Sequence, residues 1–283
     1  VGSDGGYYRS KSSYSFIVYD SDGNTSVRII SAGNAKRKYL MTDSSGTHQV
    51  YCVESGIDFN TGNSYVSQNG KNSSYFRKLP TEAQFGVMMA LMYGWHEGKS
   101  SPVAGTNTDD YAFATQTIIW EYQQQLRTSP SDLHSANGID ADTYRYSLKD
   151  RPAEKCYDWI LSQMASHYTI PSFAARNQNK ADTYTLKYNP DKQNYSLTLT
   201  DTNNTLANLS LSASGIKVSR SGNQYTFTSD KMITSPIMVS AQKAVKLDCD
   251  EMLIWGCVGK QTMVSGASDP VYFYFKIDTE TYG

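Results

Sequence analysis

The stretch Ala114-Thr115-Gln116-Thr117-Ile118-Ile119-Trp120 lies inside a predicted helix that begins near Asp109-Asp110 and continues to about Arg127. On a wheel of about 100° per residue, this helix has one continuous apolar stripe, which predicts its core-facing side. Gln116 lies off that stripe, between Phe113 at i−3 and Trp120 at i+4. Burying an amide without partners costs roughly 2–7 kcal/mol, so the sequence predicts a compensating interaction for Gln116. The stripe comprises Tyr111, Ala114, Ile118, Tyr122 and Leu126.

A second stretch, Tyr51-Cys52-Val53-Glu54, closes a predicted strand at Thr47–Val53. Alternation along the strand places Val50 and Cys52 on one face, and Tyr51 and Val53 on the other. A thiolate is the strongest nucleophile among ordinary side chains near neutral pH. Cys52 is therefore the first candidate for covalent chemistry, although a buried structural thiol or a disulfide partner is the more ordinary role of a single cysteine.

The pattern Thr-Gln-x-x-Ile-Trp at 115–120, together with the upstream Tyr-Cys-Val at 51–53, resembles the signature of the thioester (TQxA) domains of Gram-positive surface proteins. The resemblance implies an internal thioester between the side chains of Cys52 and Gln116. It gives Tyr51, Phe113, Thr115 and Trp120 supporting roles around that bond. The Ala of the family motif is replaced by Ile118, or by Thr117 in a contiguous alignment, and this departure affects packing rather than the bonded pair.

The same resemblance, which extends over most of the chain, implies a function in covalent adhesion. A lysine amine of a host surface or matrix protein would attack the thioester and leave an intermolecular amide bond. Each molecule would react once, so the domain would not be a turnover enzyme. The resemblance further implies a secreted, monomeric domain of a wall-anchored protein, with the anchor outside this segment and with no cofactor or metal.

The remaining pattern predicts an α+β fold. A first helix starts at Pro80-Thr81 with a capping box to Gln84, and a third runs from about Asp150 to His167. Gly56 to about Arg77 is polar and is predicted to be a long surface loop. From Thr183 onward, apolar residues alternate with polar ones, which favours an antiparallel β-sandwich-like part. We predict a β-rich, helix-containing part at 1–175 and the sandwich-like part at 176–283, packed together.

Composition favours an exported protein that binds neither nucleic acid nor membrane through this segment. The chain has 283 residues, a net charge of −1 and 22 tyrosines, and only 19% of its residues are charged. This balance offers no basic surface to an anionic partner. Its longest apolar runs are shorter than the roughly 20 residues that a membrane span requires.

The other cysteines and the histidines give weaker signals. A Cys249–Cys257 disulfide is compatible with the spacing, and Cys156 fits a helix core. Ligand-spaced His pairs and CxxC motifs are absent from the sequence, which disfavours zinc, and the acidic cluster at 248–251 lacks calcium-ligand spacing. His96 is the nearest candidate for a general base, although an exposed histidine at a helix end is the simpler expectation.

Three alternatives remain open from the sequence. The chain could be a Cys-His acyl-transfer enzyme, resembling a transglutaminase or a cysteine peptidase, with Gln116 incidental. It could instead be a non-covalent β-sandwich binding module with a tyrosine-rich surface. A Lys–Asn isopeptide bond in the C-terminal part is a further possibility for which the sequence singles out no residues.

Overall fold

The structure, a computed structural model, describes residues 2–9, 14–19, 25–30, 35–57, 59 and 62–281, with side chains described at 38–57, 59 and 62–281. Its internal contacts divide the chain into two compact units. The first comprises Val1–Ala165 and Leu247–Pro270, and the second comprises Ser166–Lys246 and Val271–Gly283. The division therefore lies about ten residues before the predicted boundary at 175/176. The segment 247–270, predicted to belong to the C-terminal part, returns to the first unit because its strands pair with N-terminal ones.

The first unit is built on a six-stranded antiparallel sheet with the order β1-β4-β5-β16-β15-β6. Two β-hairpins, β2-β3 and β7-β8, accompany it. The late strands β15 and β16 complete the sheet between β5 and β6. The strands of this unit are β1 (Gly2–Arg9), β2 (Tyr14–Tyr19), β3 (Thr25–Ile30), β4 (Ala35–Asp43), β5 (Gly46–Cys52), β6 (Val66–Asn69), β7 (Arg127–Ser129), β8 (Asp132–Leu133), β15 (Leu253–Gly256) and β16 (Met263–Ser265).

The three long helices predicted from the sequence are present. They are α2 (Thr81–Tyr93), α3 (Thr108–Gln123) and α4 (Ala153–Tyr168), and a short α1 (Ser74–Lys78) precedes them. Helices α2 and α3 pack closely because Gly86 has no side chain: a Cβ there would lie 2.0 Å from the ring of Tyr122. Short 3-10 helices occur at Gly70–Asn72, Arg145–Leu148 and Gln178–Lys180.

Two local predictions in this region were wrong. Pro80, not Thr81, occupies the N-cap position of α2, and the Gln84 amide donates hydrogen bonds to the main-chain oxygens of Leu79 and Arg77. The predicted loop at 56–77 contains β6 and α1, because the side chains of Tyr75 and Phe76 are buried. A polar segment thus gains regular structure from two aromatic anchors.

The second unit is one seven-stranded sheet with the order β11-β14-β17-β9-β10-β13-β12. Its pairs are antiparallel except β17 with β9. The edge strands β11 and β12 contact each other, so this single sheet curls towards a barrel. Helices and mostly antiparallel sheets together confirm the predicted α+β class. Phe173 packs at its core against the rings of Tyr184, Tyr225, Phe227 and Phe275. The strands are β9 (Thr183–Asn189), β10 (Asn194–Thr200), β11 (Leu209–Leu211), β12 (Ile216–Ser221), β13 (Gln224–Ser229), β14 (Ile237–Lys243) and β17 (Phe273–Thr279).

Candidate functional site

Cys52 is the last residue of β5 and is 4% exposed. Its neighbour across the sheet on one side is Met263 of β16. As alternation predicts, the Cys52 side chain shares a buried cluster with Val50, Met41, Trp255 and Met263. The thiol therefore lies in an apolar environment that excludes water. All four cysteines of the chain are described and no disulfide joins them, so the Cys249–Cys257 bridge that the spacing allows is not present in the structure.

On the other side of β5, the strand pairing stops just before Cys52. The register of β4 and β5 ends at Tyr39 opposite Val50. The side-chain amide of Gln116 takes the place of the next strand residue. The main-chain N–H of Cys52 donates to Gln116 Oε1 at 2.7 Å, and Gln116 Nε2 donates to the main-chain oxygen of Cys52 at 2.8 Å. This double hydrogen bond is the compensating interaction predicted for Gln116, which is 3% exposed.

Helix α3 holds Gln116 at this position through defined local interactions. Asn107 and Asp110 form a capping box, with each side chain accepting the other's main-chain N–H at 2.9 Å. This cap satisfies helix donors and places a carboxylate at the positive end of the helix dipole. The sequence predicted the acidic start at Asp109-Asp110 but not the Asn107 cap.

Thr115 connects α3 to the end of α2. Its hydroxyl donates to the Tyr111 oxygen at 2.8 Å and accepts the main-chain N–H of Trp95 at 3.1 Å. The two helices come this close because Gly94 has no side chain. A Cβ on Gly94 would lie 2.3 Å from the Thr115 methyl carbon. Thr115 is fully buried, so its hydroxyl fixes the position of the residue next to Gln116 rather than facing solvent.

Tyr51 lies on the opposite face of β5 from Cys52. Its hydroxyl donates to the main-chain oxygen of Trp95 at 2.5 Å, which ties the strand to the segment that Thr115 also holds. Burial raises the pKa of the Tyr51 hydroxyl well above its usual value, so the group remains a neutral donor. Tyr51 and Thr115 thus support the site from behind the sheet.

The aromatic neighbours of Gln116 on α3 differ in their surroundings. Phe113 is 1% exposed. Trp120 is half-buried and packs against the apolar cluster that contains Cys52. Its ring also lies 5.4 Å from that of Tyr144. Gln116 and Trp120, one turn apart, therefore both reach Cys52 or its cluster.

His96 does not provide a base for Cys52. It is 7% exposed, which corrects the expectation of an exposed helix-end histidine, and its Nε2 hydrogen-bonds to the Leu91 oxygen at 2.5 Å. Burial lowers its pKa, which keeps the ring neutral. It follows Trp95, whose oxygen binds Tyr51 on the face away from the Cys52 side chain. This geometry disfavours a Cys-His dyad between Cys52 and His96.

Burial raises the pKa of the Cys52 thiol far above its usual range. The thiol is therefore protonated at neutral pH, and any attack by its sulfur must be coupled to loss of the proton. Within the described part of the chain, no three His, Cys, Asp or Glu side chains form a group that could hold a metal ion. No helix among the described residues has the length and apolar character to cross a bilayer.

Sequence reasoning missed several residues around Cys52. Glu54 is 1% exposed, and its carboxylate accepts both the main-chain N–H and the hydroxyl of Thr262, at 2.9 and 2.8 Å. Tyr39, Phe59 and Tyr65 form a half-buried outer layer of the Cys52 cluster. The available signal was the presence of aromatic residues within polar segments, but no spacing rule connects residues so far apart in sequence.

A family model matches the part of the first unit that holds the candidate site. Residues 49–166, which include Cys52 and Gln116, match the model of the family described as "TED: Thioester domain". This segment is therefore similar to thioester domains. The resemblance that the two short motifs indicated is thereby confirmed over a continuous stretch that includes the end of β5, helices α2 and α3, and most of α4.

Solved structures extend the thioester-domain likeness to the fold of the chain. The thioester domain of the Staphylococcus aureus TIE protein matches with a TM-score of 0.53 and 16% identity, over 98% of this chain and 97% of that one. The thioester domain of the Enterococcus faecium TIE86 protein matches with a TM-score of 0.33 and 11% identity, over 98% and 92%. The fold likeness rests on the first of these. No curated protein sequence matches the chain.

Proposed function

We propose that Cys52 and Gln116 form an internal thioester, and that the domain uses it for covalent adhesion to an amine of a partner protein. The observation that carries this proposal is the double hydrogen bond between the Gln116 amide and the main chain of Cys52, at 2.7 and 2.8 Å. It holds the acyl group of Gln116 against Cys52, the residue that carries the nucleophile. The thioester-domain family of residues 49–166 supports the same reading.

Formation of the bond follows from this arrangement. The Cys52 sulfur attacks Gln116 Cδ, and the main-chain N–H of Cys52 stabilises the negative charge that develops on Oε1. The C–N bond breaks, and Nε2 leaves as ammonia with the thiol proton. Fixed proximity replaces a bimolecular encounter, which is worth effective concentrations on the order of 10⁵ M or more in well-oriented systems. The same proximity compensates for the low population of thiolate at a buried cysteine.

The thioester then reacts with a primary amine. The amine nitrogen attacks the Gln116 acyl carbon, the C–S bond breaks, and one amine proton passes to the Cys52 sulfur. The product is an amide that joins the partner to Gln116, together with a free Cys52 thiol. Because the acyl group remains on Gln116 permanently, each domain acts once and does not turn over.

The partner and location follow from the family resemblance rather than from geometry. The proposed partner is a lysine of a host surface or matrix protein. The proposed location is the surface of a Gram-positive cell, with the domain acting as a monomer and anchored to the cell wall through sequence outside this segment. No cofactor takes part in either step, since sulfur, acyl carbon and amine supply all the atoms.

Intact-mass spectrometry of the freshly purified protein tests the bond. The expected mass is lower than the sequence mass by one ammonia, and methylamine should add its own mass while exposing one new alkylatable thiol. Cys52→Ala and Gln116→Ala should both show their full sequence mass, whereas Cys257→Ala, which removes a half-buried cysteine, should keep the deficit. A full mass with an alkylatable Cys52 in fresh wild-type protein would overturn the proposal.

The mass experiment also separates the alternatives. A Cys-His acyl-transfer enzyme would show full mass and would modify many substrate molecules per protein. A non-covalent binding module would show full mass and reversible binding. A Lys–Asn isopeptide would also remove one ammonia, but its deficit would persist in Cys52→Ala. In the second unit, the buried Lys243 donates a hydrogen bond to the main-chain oxygen of Ser166 at 2.8 Å. The Lys–Asn isopeptide stays a prediction without assigned residues.

A further inference from the structure

Three aromatic side chains near Cys52 have no part in the steps above. Tyr39, Phe59 and Tyr65 are half-buried and pack against the buried cluster that contains the Cys52 side chain. They belong to three separate segments, namely β4, the residues after β5 and the residues before β6. Cys52 itself is 4% exposed, so these half-buried rings are aromatic neighbours of its cluster that remain partly open to solvent.

The three rings form a continuous surface, which we call the aromatic wall. The centroid of Phe59 lies 4.1 Å from that of Tyr39 and 6.0 Å from that of Tyr65, with the ring planes tilted in both pairs. Tyr39 is fixed by strand pairing opposite Val50, two residues before Cys52. The Tyr65 hydroxyl donates to the main-chain oxygen of Gln261 at 3.1 Å, which fixes the other end. Phe59 bridges the two.

The wall is uncharged under ordinary conditions. Burial raises the pKa of the Tyr65 hydroxyl well above its usual value, and the neighbouring Cys257, Cys52 and Glu54 raise it further. A neutral aromatic surface interacts with two parts of an approaching amine. Methylene groups gain from leaving water, and an ammonium group is attracted to the face of a ring. Water and short amines gain little or nothing from the first of these effects.

We propose that the aromatic wall of Tyr39, Phe59 and Tyr65 selects, as the attacking group, a primary amine carried on an unbranched aliphatic chain. This is the chemistry of a lysyl side chain. The inference rests on the proposed thioester, and it names the residues that would choose the amine. The aliphatic chain of the partner's amine lies along the rings. Its ammonium group gives one proton to water and becomes an amine, and the amine nitrogen then attacks the Gln116 acyl carbon.

Rates with a series of amines test the wall. Thiol release from the purified protein would be followed with methylamine and with pentylamine, which gives the ratio of the pentylamine rate constant to the methylamine rate constant. This ratio is then divided by the same ratio for a small-molecule thioester, and the result is the normalised ratio. Each buried methylene contributes roughly a fourfold factor, so burial of even part of the pentyl chain should raise the normalised ratio about tenfold or more. A normalised ratio near one in the wild type would overturn the inference.

Variants locate the effect. Phe59→Ala removes the bridging ring and should lower the normalised ratio several-fold, whereas Tyr65→Phe keeps the ring and should retain it. Tyr146→Ala, at an aromatic residue that is 41% exposed and outside the wall, serves as the matched control. If Phe59→Ala does not fold, Tyr65→Ala, which removes another ring of the aromatic wall, should lower the normalised ratio in the same way. An unchanged ratio in folded Phe59→Ala or Tyr65→Ala would contradict the assignment.

The outcomes keep the two proposals apart. Wild-type protein without the ammonia deficit would refute the thioester itself. Protein that shows the deficit and reacts with methylamine, but does not prefer pentylamine, would refute the aromatic wall alone. Preference that disappears in Phe59→Ala while the mass deficit remains would support both.

Discussion

The two units of the chain each contain a buried polar side chain that replaces missing main-chain partners, and they use it differently. In the first, Gln116 both accepts from and donates to Cys52. In the second, the fully buried Asp201 carboxylate accepts main-chain N–H groups of Ser172, Asn203 and Thr205, each at about 3 Å, and the Thr205 hydroxyl. Burial and satisfied hydrogen bonds are common to both, so neither property marks a reactive site.

What distinguishes the two is the residue that is held. Asp201 closes a turn whose donor residues carry no thiol, and its carboxylate accepts hydrogen bonds but donates none. The Gln116 amide is neutral and contains an electrophilic carbon, and the residue that it holds carries a thiol. A hydrogen-bonded contact of this kind can therefore lead to a reaction when it brings an acyl group and a nucleophile together.

Opening the proposed cross-link should cause the largest change in stability, and that change should be confined to the first unit. The bond would close a loop of 116 − 52 = 64 residues. By the chain-entropy estimate, losing such a closure costs about 4 kcal/mol. Methylamine treatment should therefore lower the free energy of unfolding of the first unit by about that amount, and hydrogen exchange should show faster opening of α3 but not of β9 or β10. Cys52→Ala should not respond to methylamine. Equal stability before and after treatment would contradict the prediction.

Removing Asp201 should have the next largest effect, confined to the second unit. Asp201→Ala leaves several buried donors without an acceptor, and we expect a loss of about 3 kcal/mol in urea denaturation, with the ammonia deficit intact. Asp230→Ala is the matched control, because Asp230 is exposed and pairs only at the surface with Lys217 at 3.4 Å. A similar loss for both variants would show that Asp201 has no special role.

The stability contributed by Asp201 should depend on pH with a defined sign. Burial alone would raise the pKa of this carboxyl, but hydrogen bonds from Thr205, Ser172 and Asn203 lower it below the ordinary value of 3.8. A folded-state pKa below the unfolded one stabilises the protein above the unfolded pKa, and this contribution is lost as pH falls through the folded pKa. The stability difference between wild type and Asp201→Asn should thus be full at pH 7 and shrink below about pH 4. A difference that grows on acidification would refute this account.

Thr115→Val should have the smallest effect and sharpens the view of the site's support. The substitution keeps the side-chain shape but leaves the buried main-chain N–H of Trp95 without its acceptor, at a cost of roughly 1–2 kcal/mol. Thr117→Val removes a hydroxyl that donates back to Phe113 within α3, and it should cost less. Thermal unfolding measures both. A larger loss in Thr117→Val would show that the Thr115–Trp95 contact is not what positions the helix.

The sequence predicted the local features of the site well. The period of the apolar residues identified α3, and the position of Gln116 off the apolar stripe indicated a buried amide in need of a partner. The alternation in β5 placed Cys52 and Val50 on one face, as the structure has them. These features depend on residues a few positions apart, where helix and strand periodicity are informative.

Non-local features were beyond the reach of periodicity. The pairing of Cys52 with Met263 joins segments 263 − 52 = 211 residues apart, so periodicity could not place residues 247–270 beside the N-terminal strands. The capping box at Thr81 was wrong because Gln84 found nearer acceptors in the carbonyls of Leu79 and Arg77. The aromatic wall brings together three residues whose only common property in the sequence is ring chemistry.

The late position of β16 has a consequence for the order of events during synthesis. The apolar surroundings of Cys52 include Trp255 and Met263, which the ribosome adds some two hundred residues after the cysteine. A nascent chain thus carries Cys52 as an accessible thiol until its distant neighbours have been made. The proposed thioester is accordingly a late event, which cannot form in its buried setting before Trp255 and Met263 have been synthesised.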